Sequence, residues 1–400
     1  MTVPAALARR RNYAGPALFS YGFRPFFLGA ALWSAVGILF WVRQYFGEIS
    51  LPVAMSALDW HIHEMLYGYV AAAIAGFLLT AIPNWTGRLP VCGLPLASLW
   101  LLWLAGRLAI FMSATIGMVL AAVIDVSFLI VLAAVAVREI VAGRNWRNLR
   151  VLGVLGVLVL GNVVWHVELL RSGAGNYGVR IGIAAVIGLI MFIGGRIVPS
   201  FTRNWLVRMN PGRVPQPFSR FDVGAIAVGV IALAIWIAVE SNPVVGVVLM
   251  IAGALHAVRL GRWAGDRTVA DRLVLVLHVA YAFIPLGFLL LGASMLWPGV
   301  IAASAGLHAW TTGAVGMMTL AVMTRASLGH TGRPLVASAA TQAIYLCVLV
   351  AALVRIAAAL GGWTDLLHVA GLAWIAAFGG FVVVYGPLLI AQPPAWSAER

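Results

Sequence analysis

The chain has 400 residues, of which 63% are apolar and only 10% are charged, whereas roughly a quarter are charged in an ordinary soluble domain. A water-soluble fold cannot bury that much apolar surface, but the hydrocarbon core of a bilayer accepts it. The formal charge of +14 comes from Arg alone, and these Arg residues lie in the gaps between apolar runs. This spacing argues against a nucleic-acid partner, which needs a clustered basic face.

The apolar runs predict an all-α, polytopic membrane protein of about twelve transmembrane helices. Each run approaches the roughly 20 residues that a helix needs to cross a bilayer, and turn signals such as Asn210-Pro211-Gly212 and Trp297-Pro298-Gly299 separate several of them. We expect a cytoplasmic segment over 1–25, a single transmembrane domain over 26–390 and a cytoplasmic tail over 391–400. The predicted spans are 26–46, 60–83, 94–113, 115–137, 150–170, 180–199, 222–240, 243–261, 272–294, 298–324, 336–360 and 364–390.

The distribution of Arg predicts that both termini are cytoplasmic. With the N-terminus inside, 21 Arg residues fall in inner segments and four in outer segments, and Arg107 lies within the third span. Cytoplasmic loops carry such an excess of positive charge. Cys92 and Cys347 form no CxxC or CxxCH pattern, which argues against a covalently attached haem.

Five of the eight histidines fall in the predicted outer half of the membrane. Imidazole is a ligand for copper, iron and zinc, and convergence on one metal would satisfy several imidazoles where lipid offers no hydrogen-bond partner. We therefore predict that these histidines bind a metal, with copper as the first choice and iron as the alternative. The competing interpretation is that they anchor helix ends at the membrane interface. His61 and His63 do not share a helical face, so either His63 turns to a second site or the entry to the span is non-helical. The predicted metal ligands are His61, His63, His166, His308 and His368.

A second pair, His256 and His278, lies at similar inner depth on consecutive spans. Two histidines so placed are typical of a bis-histidine haem b. Three Arg residues end nearby spans and could meet its propionates: Arg196, Arg259 and Arg325. The alternative is that each imidazole donates a hydrogen bond to a backbone carbonyl of a neighbouring helix.

Arg107 and Asp125 lie in the outer half of the third and fourth spans. An unpaired charge at that depth is costly, so mutual pairing is the first expectation. The alternative is a propionate anchor at Arg107 or a proton path through both residues.

Four segments of this sequence resemble the NnrS family. They are His61-Ile62-His63-Glu64-Met65-Leu66-Tyr67-Gly68, the stretch from Gly76 to Gly87, the stretch from Gly194 to Asn204, and the run from His308 to Arg333. The resemblance implies a haem- and copper-containing protein of the bacterial cytoplasmic membrane, linked to nitric oxide metabolism during denitrification and nitrosative stress.

The histidines predict a metal-containing membrane protein, and the family resemblance implies a haem and metal redox protein that binds or reduces nitric oxide. Nitric oxide is a small uncharged molecule that can enter an apolar bundle from lipid. If it is an enzyme, it is an oxidoreductase of the nitric oxide reductase type, with a quinol or cytochrome as electron donor. Protons would then come from Glu64, Tyr67 or Asp125. Two alternatives stay open: a twelve-helix secondary transporter, and a sensor or assembly factor that carries metal without turnover.

Overall fold

The computed structural model describes residues 13–239 and 242–392, and every regular element within those ranges is a helix. The prediction of an all-α, multi-pass membrane protein is confirmed, because eleven of the described helices are long and apolar enough to cross a membrane. The number of spans and their orientation stay predictions. Residues 1–12 of the predicted N-terminal segment and 393–400 of the predicted tail lie outside the described residues.

The long helices follow the predicted spans in order. A further helical stretch over residues 303–330, which we call α10, coincides with the tenth predicted span but is not among those eleven. Short helical turns lie at Ala17–Phe19, Ser113–Ile116 and Gly265–Thr268. The eleven are α1 (Phe23–Tyr45), α2 (Ala57–Thr86), α3 (Leu94–Phe111), α4 (Met118–Ala142), α5 (Trp146–Ser172), α6 (Tyr177–Met209), α7 (Arg220–Ala238), α8 (Pro243–Gly261), α9 (Arg272–Leu296), α11 (Ala339–Gly361) and α12 (Leu366–Ile390).

Local sequence explains where several helices begin and end. Gly173 has φ +77° and donates its N–H to the Leu169 carbonyl, which closes α5 in the left-handed conformation that glycine adopts without strain. Ser219 and Asp222 form a capping box that satisfies the first N–H groups of α7.

Helix α6 differs from the prediction. The apolar run predicted an end near residue 199, whereas α6 continues to Met209 through Pro199 and two Arg residues. Hydropathy marks the apolar part of a helix, and the polar last turns of α6 fall outside that signal.

Contacts within the chain divide it into two units, and each is described by itself. Unit 1 takes in Met1–Gly182, Met323–Leu335 and Phe378–Arg400, and unit 2 takes in Ile183–Val322 and Val336–Ala377, as far as the structure describes them. Within unit 1, 83% of the most apolar stretch of α2 is buried in the protein, against 33% for α4. Most of α2 is therefore buried inside the protein, while Val119 and Val123 of α4 are exposed and suit contact with lipid. The prediction of a single transmembrane domain stays a prediction.

Three helices widen into π-helical segments: residues Glu64–Val70 of α2, Ile190–Gly194 of α6 and Ala309–Gly316 of α10. Such segments interrupt the regular hydrogen-bond ladder, which is unfavourable, and they are frequent at functional sites. The first of them adjoins a group of buried polar side chains in unit 1.

Candidate metal centre

Among its buried polar side chains, unit 1 encloses a group of six that contact one another and are each at most 3% exposed. They come from four helices, α2 to α5, in a protein whose surroundings offer few hydrogen-bond partners. Buried ionisable groups are costly unless they pair, and at membrane depth they usually mark a functional site. We call these six residues the polar cluster: His63, Glu64, Arg107, Asp125, Asn162 and His166.

Arg107 joins the two carboxylates of the polar cluster. Its Nη1 donates to Glu64 Oε1 at 2.7 Å, and its Nη2 donates to Asp125 Oδ1. The predicted pairing of Arg107 with Asp125 is thus confirmed, with Glu64 as a second partner. When the histidines are neutral, the two carboxylates and the one guanidinium give the polar cluster a net charge of −1.

Asp125 Oδ2 is the atom on which the cluster converges. Asn162 Nδ2 donates to it at 2.8 Å, and the Nε2 atoms of His166 and His63 lie 3.0 and 3.2 Å from it. The ligand atoms of His63, Asp125 and His166 all lie within 4.8 Å of one another. Two imidazoles and a carboxylate on three separate helices therefore face a common point.

The donor set and its spacing fit a first-row transition metal. Nitrogen and oxygen ligands sit about 2.0–2.2 Å from such a metal, so adjacent ligands of one ion are about 3.0–3.5 Å apart. The two separations from Asp125 Oδ2, 3.0 and 3.2 Å, fall in that range. Two histidines with one carboxylate form a site for iron(II), and imidazole ligands also suit copper and zinc.

The local fold explains how these side chains meet. Asn162 and His166 are four residues apart and share one face of α5. His63 and Glu64 are adjacent, and the π-helical segment begins at Glu64. Glycine also permits a close approach, because a Cβ at Gly106 would lie 3.2 Å from the Asp125 Cα.

Among the predicted metal ligands, the structure brings His63 and His166 together and places the others elsewhere. His61 stacks on Trp41 with ring centroids 4.1 Å apart, so of the two earlier alternatives the structure shows His63 turning to a separate site. His308 lies in unit 2 and its Nδ1 donates to the Ser304 carbonyl at 2.7 Å. His368 lies in the first turn of α12, also in unit 2.

The residues predicted to donate protons take different positions. Glu64 and Asp125 belong to the polar cluster. The Tyr67 ring centroid is 5.5 Å from that of His63, but its hydroxyl donates to the Gly178 carbonyl at 2.6 Å. Tyr67 is therefore next to the cluster, with its proton directed to backbone.

The predicted haem ligands His256 and His278 are both buried in unit 2, and each has its own partner. Arg259 Nη1 donates to the Tyr281 hydroxyl oxygen at 2.8 Å, and His256 Nδ1 lies 2.9 Å from the same oxygen. The Tyr281 hydroxyl can therefore donate its own hydrogen to His256 Nδ1. His256 Nδ1 is then an acceptor, which favours the imidazole hydrogen on Nε2. His278 Nε2 lies 2.8 Å from Thr202 Oγ1 on α6.

The haem b prediction does not fit this arrangement of the pair. A Cβ at Gly229 would lie 2.9 Å from His256 Nε2, so that nitrogen faces α7, whereas His278 Nε2 faces α6. A bis-histidine haem needs both nitrogens on one iron. Of the predicted propionate partners, Arg196 is exposed in unit 2 and Arg325 lies in unit 1. Arg259 is buried in unit 2 and already pairs with Asp222 at 3.1 Å.

Sequence reasoning missed three residues at these sites. Asn162 binds Asp125, and its spacing of four residues from His166 was a usable signal. Trp33 Nε1 donates to Glu64 Oε2 at 2.6 Å, and nothing in the sequence ties Trp33 to α2. Asp222 pairs with buried Arg259 at 3.1 Å, although it reads as a simple helix cap.

These observations define a polytopic α-helical membrane protein with a buried histidine and carboxylate cluster suited to a metal. The particular family follows from a comparison with family models: the NnrS protein family matches residues 17–392. The chain belongs to the NnrS family, and membership suggests a nitric-oxide-related membrane protein with metal binding. No curated protein matches the chain significantly.

Proposed function

We propose that this protein holds copper at His63, Asp125 and His166 and binds nitric oxide there, in the cytoplasmic membrane of a bacterium. The observation that carries the proposal is the convergence of three ligand atoms within 4.8 Å of one another. Iron is the alternative metal, because two imidazoles and one carboxylate also suit iron(II).

Burial supports a diatomic ligand. All three proposed ligand residues are at most 3% exposed, and the helices around them present apolar side chains to their surroundings. Nitric oxide is small, uncharged and soluble in lipid, so it needs no polar channel to reach such a site. A bound transition metal would supply an open coordination position for it.

Charge supports a cation at this place. Glu64, Asp125 and Arg107 together carry one negative charge, and that charge is buried. A metal cation would offset it, whereas lipid and apolar side chains would not. Asn162 would keep its hydrogen bond to Asp125 Oδ2 and so orient the carboxylate.

Reduction of nitric oxide and haem b remain predictions from the family resemblance. Reduction requires an electron donor such as a quinol or a cytochrome, and a b-type absorption band in the reduced protein tests for haem. The metal proposal depends on neither.

The test is metal content and nitric oxide binding in single-histidine variants. We expect His63→Ala and His166→Ala to lose copper, together with the change in visible absorption when nitric oxide is added under anaerobic conditions. The matched control is His61→Ala, two residues from His63 on the same helix but stacked on Trp41, and it should keep both. If the first two variants retain wild-type copper and the nitric oxide response, the proposal is wrong.

A further inference from the structure

Glu64 is the one carboxylate of the polar cluster that is not among the three grouped ligand residues. Its carboxylate accepts three hydrogen bonds: from His63 Nδ1 at 2.9 Å, from Arg107 Nη1 at 2.7 Å and from Trp33 Nε1 at 2.6 Å. The residue is fully buried. We propose that Glu64 is a positioning residue that fixes the tautomer and orientation of His63, so that His63 Nε2 is the metal-binding nitrogen.

The chemistry of the imidazole determines which nitrogen of His63 can bind a metal. A neutral imidazole has one N–H donor and one lone pair. Both ring nitrogens of His63 face acceptor oxygens: Nδ1 lies 2.9 Å from Glu64 Oε1, and Nε2 lies 3.2 Å from Asp125 Oδ2 and 3.3 Å from Asn162 Oδ1. A metal at the common point of the ligand atoms would take the Nε2 lone pair, and the single hydrogen of the neutral ring would then be on Nδ1, which donates it to Glu64. Ligating histidines commonly donate their other N–H to a carboxylate in this way.

Hydrogen bonds from three helices immobilise Glu64 itself. Its donors come from three helices: Trp33 from α1, His63 from α2 and Arg107 from α3. Oε1 accepts two of these bonds and Oε2 accepts the third, which leaves the carboxylate little freedom to rotate. Arg107 also holds Asp125, so one guanidinium sets the spacing between the positioning carboxylate and the ligand carboxylate.

His166, the other histidine of the proposed metal site, lacks such a partner within the described ranges. Among the described residues, His166 Nδ1 has no hydrogen-bond partner. Both imidazoles approach Asp125 through Nε2, but only His63 has a second carboxylate, that of Glu64, at its Nδ1. The role is therefore specific to His63, and it differs from the proton donation that the sequence suggested for Glu64.

This inference rests on the proposed metal site, and the experiment separates the two. Metal-stripped full-length protein is titrated with Cu(II), and the dissociation constant and the electron paramagnetic resonance spectrum are recorded for each variant. We expect Glu64→Gln to weaken Cu(II) binding about 10- to 100-fold and to shift the copper hyperfine splitting. The matched control is Glu139→Gln, which also removes a carboxylate bound to Arg in unit 1, and it should match the wild type.

A second variant covers the case in which Glu64→Gln does not fold. Glu64→Asp keeps the charge that Arg107 needs but withdraws the carboxylate from His63, and it should also weaken binding and alter the spectrum. Wild-type affinity and spectrum in whichever variant folds would overturn the positioning role and leave the metal site intact. If His63→Ala and His166→Ala also leave Cu(II) binding unchanged, the metal site itself is wrong.

Discussion

Arg107 is the residue whose removal should most disturb unit 1. Its guanidinium is 1% exposed and forms ion pairs with Glu64 and Asp125. Arg107→Met keeps the length of the side chain but leaves two buried carboxylates without their cation. Charge-assisted hydrogen bonds contribute about 1.5–3 kcal/mol each, so losing two costs about 3–6 kcal/mol. Breaking a buried ion pair from one side costs about 3–5 kcal/mol, and the two estimates agree.

The assay is thermal unfolding of the purified protein in detergent, followed by tryptophan fluorescence. A loss of about 4 kcal/mol corresponds to a fall in Tm of about 5 °C for a chain of this length. Arg43→Met is the matched control, because Arg43 pairs with Glu48 at 3.1 Å but both side chains are about half exposed, and such pairs contribute under about 1 kcal/mol.

A double variant tests the cause of the destabilisation. Arg107→Met with Asp125→Asn removes one charge of each sign, so it should be less destabilised than the two single effects added together, by about 0.5–3 kcal/mol. Equal stability of Arg107→Met and Arg43→Met would refute the reasoning, and so would strict additivity in the double variant.

Two further predictions concern packing and topology. A Cβ at Gly178 would meet the backbone N and Cα of Trp165, whereas a Cβ at Gly156 has open space. Gly178→Ala should therefore lower the stability by at least about 1–3 kcal/mol, and Gly156→Ala should be neutral or slightly stabilising. The measurement is Tm, and equal Tm values for the two variants would contradict the packing argument. Reporter fusions at Arg147 and Arg208 should be cytoplasmic and one at Gly173 should be outside, and the reversed pattern would overturn the predicted orientation.

The sequence by itself determined the class of this protein, because hydropathy and the placement of Arg are properties of each stretch of chain. Twelve predicted spans correspond in order to α1–α12, with α10 outside the eleven most apolar helices. It also indicated that Arg107 and Asp125 would pair, since two opposite charges at one depth have few other partners. The family resemblance, carried by long contiguous segments, was likewise visible without a structure.

Only the tertiary structure decided which histidines converge. Membrane depth can be read along a helix, but the direction in which a side chain points depends on the rotation and packing of that helix. His61 and His63 are two residues apart, yet one stacks on Trp41 and the other contacts Asp125. For the same reason the matching depth of His256 and His278 did not make them face one another. Trp33, Arg107 and His63 meet at Glu64 because three helices pack there, and the spacing of residues within any one helix does not encode that contact.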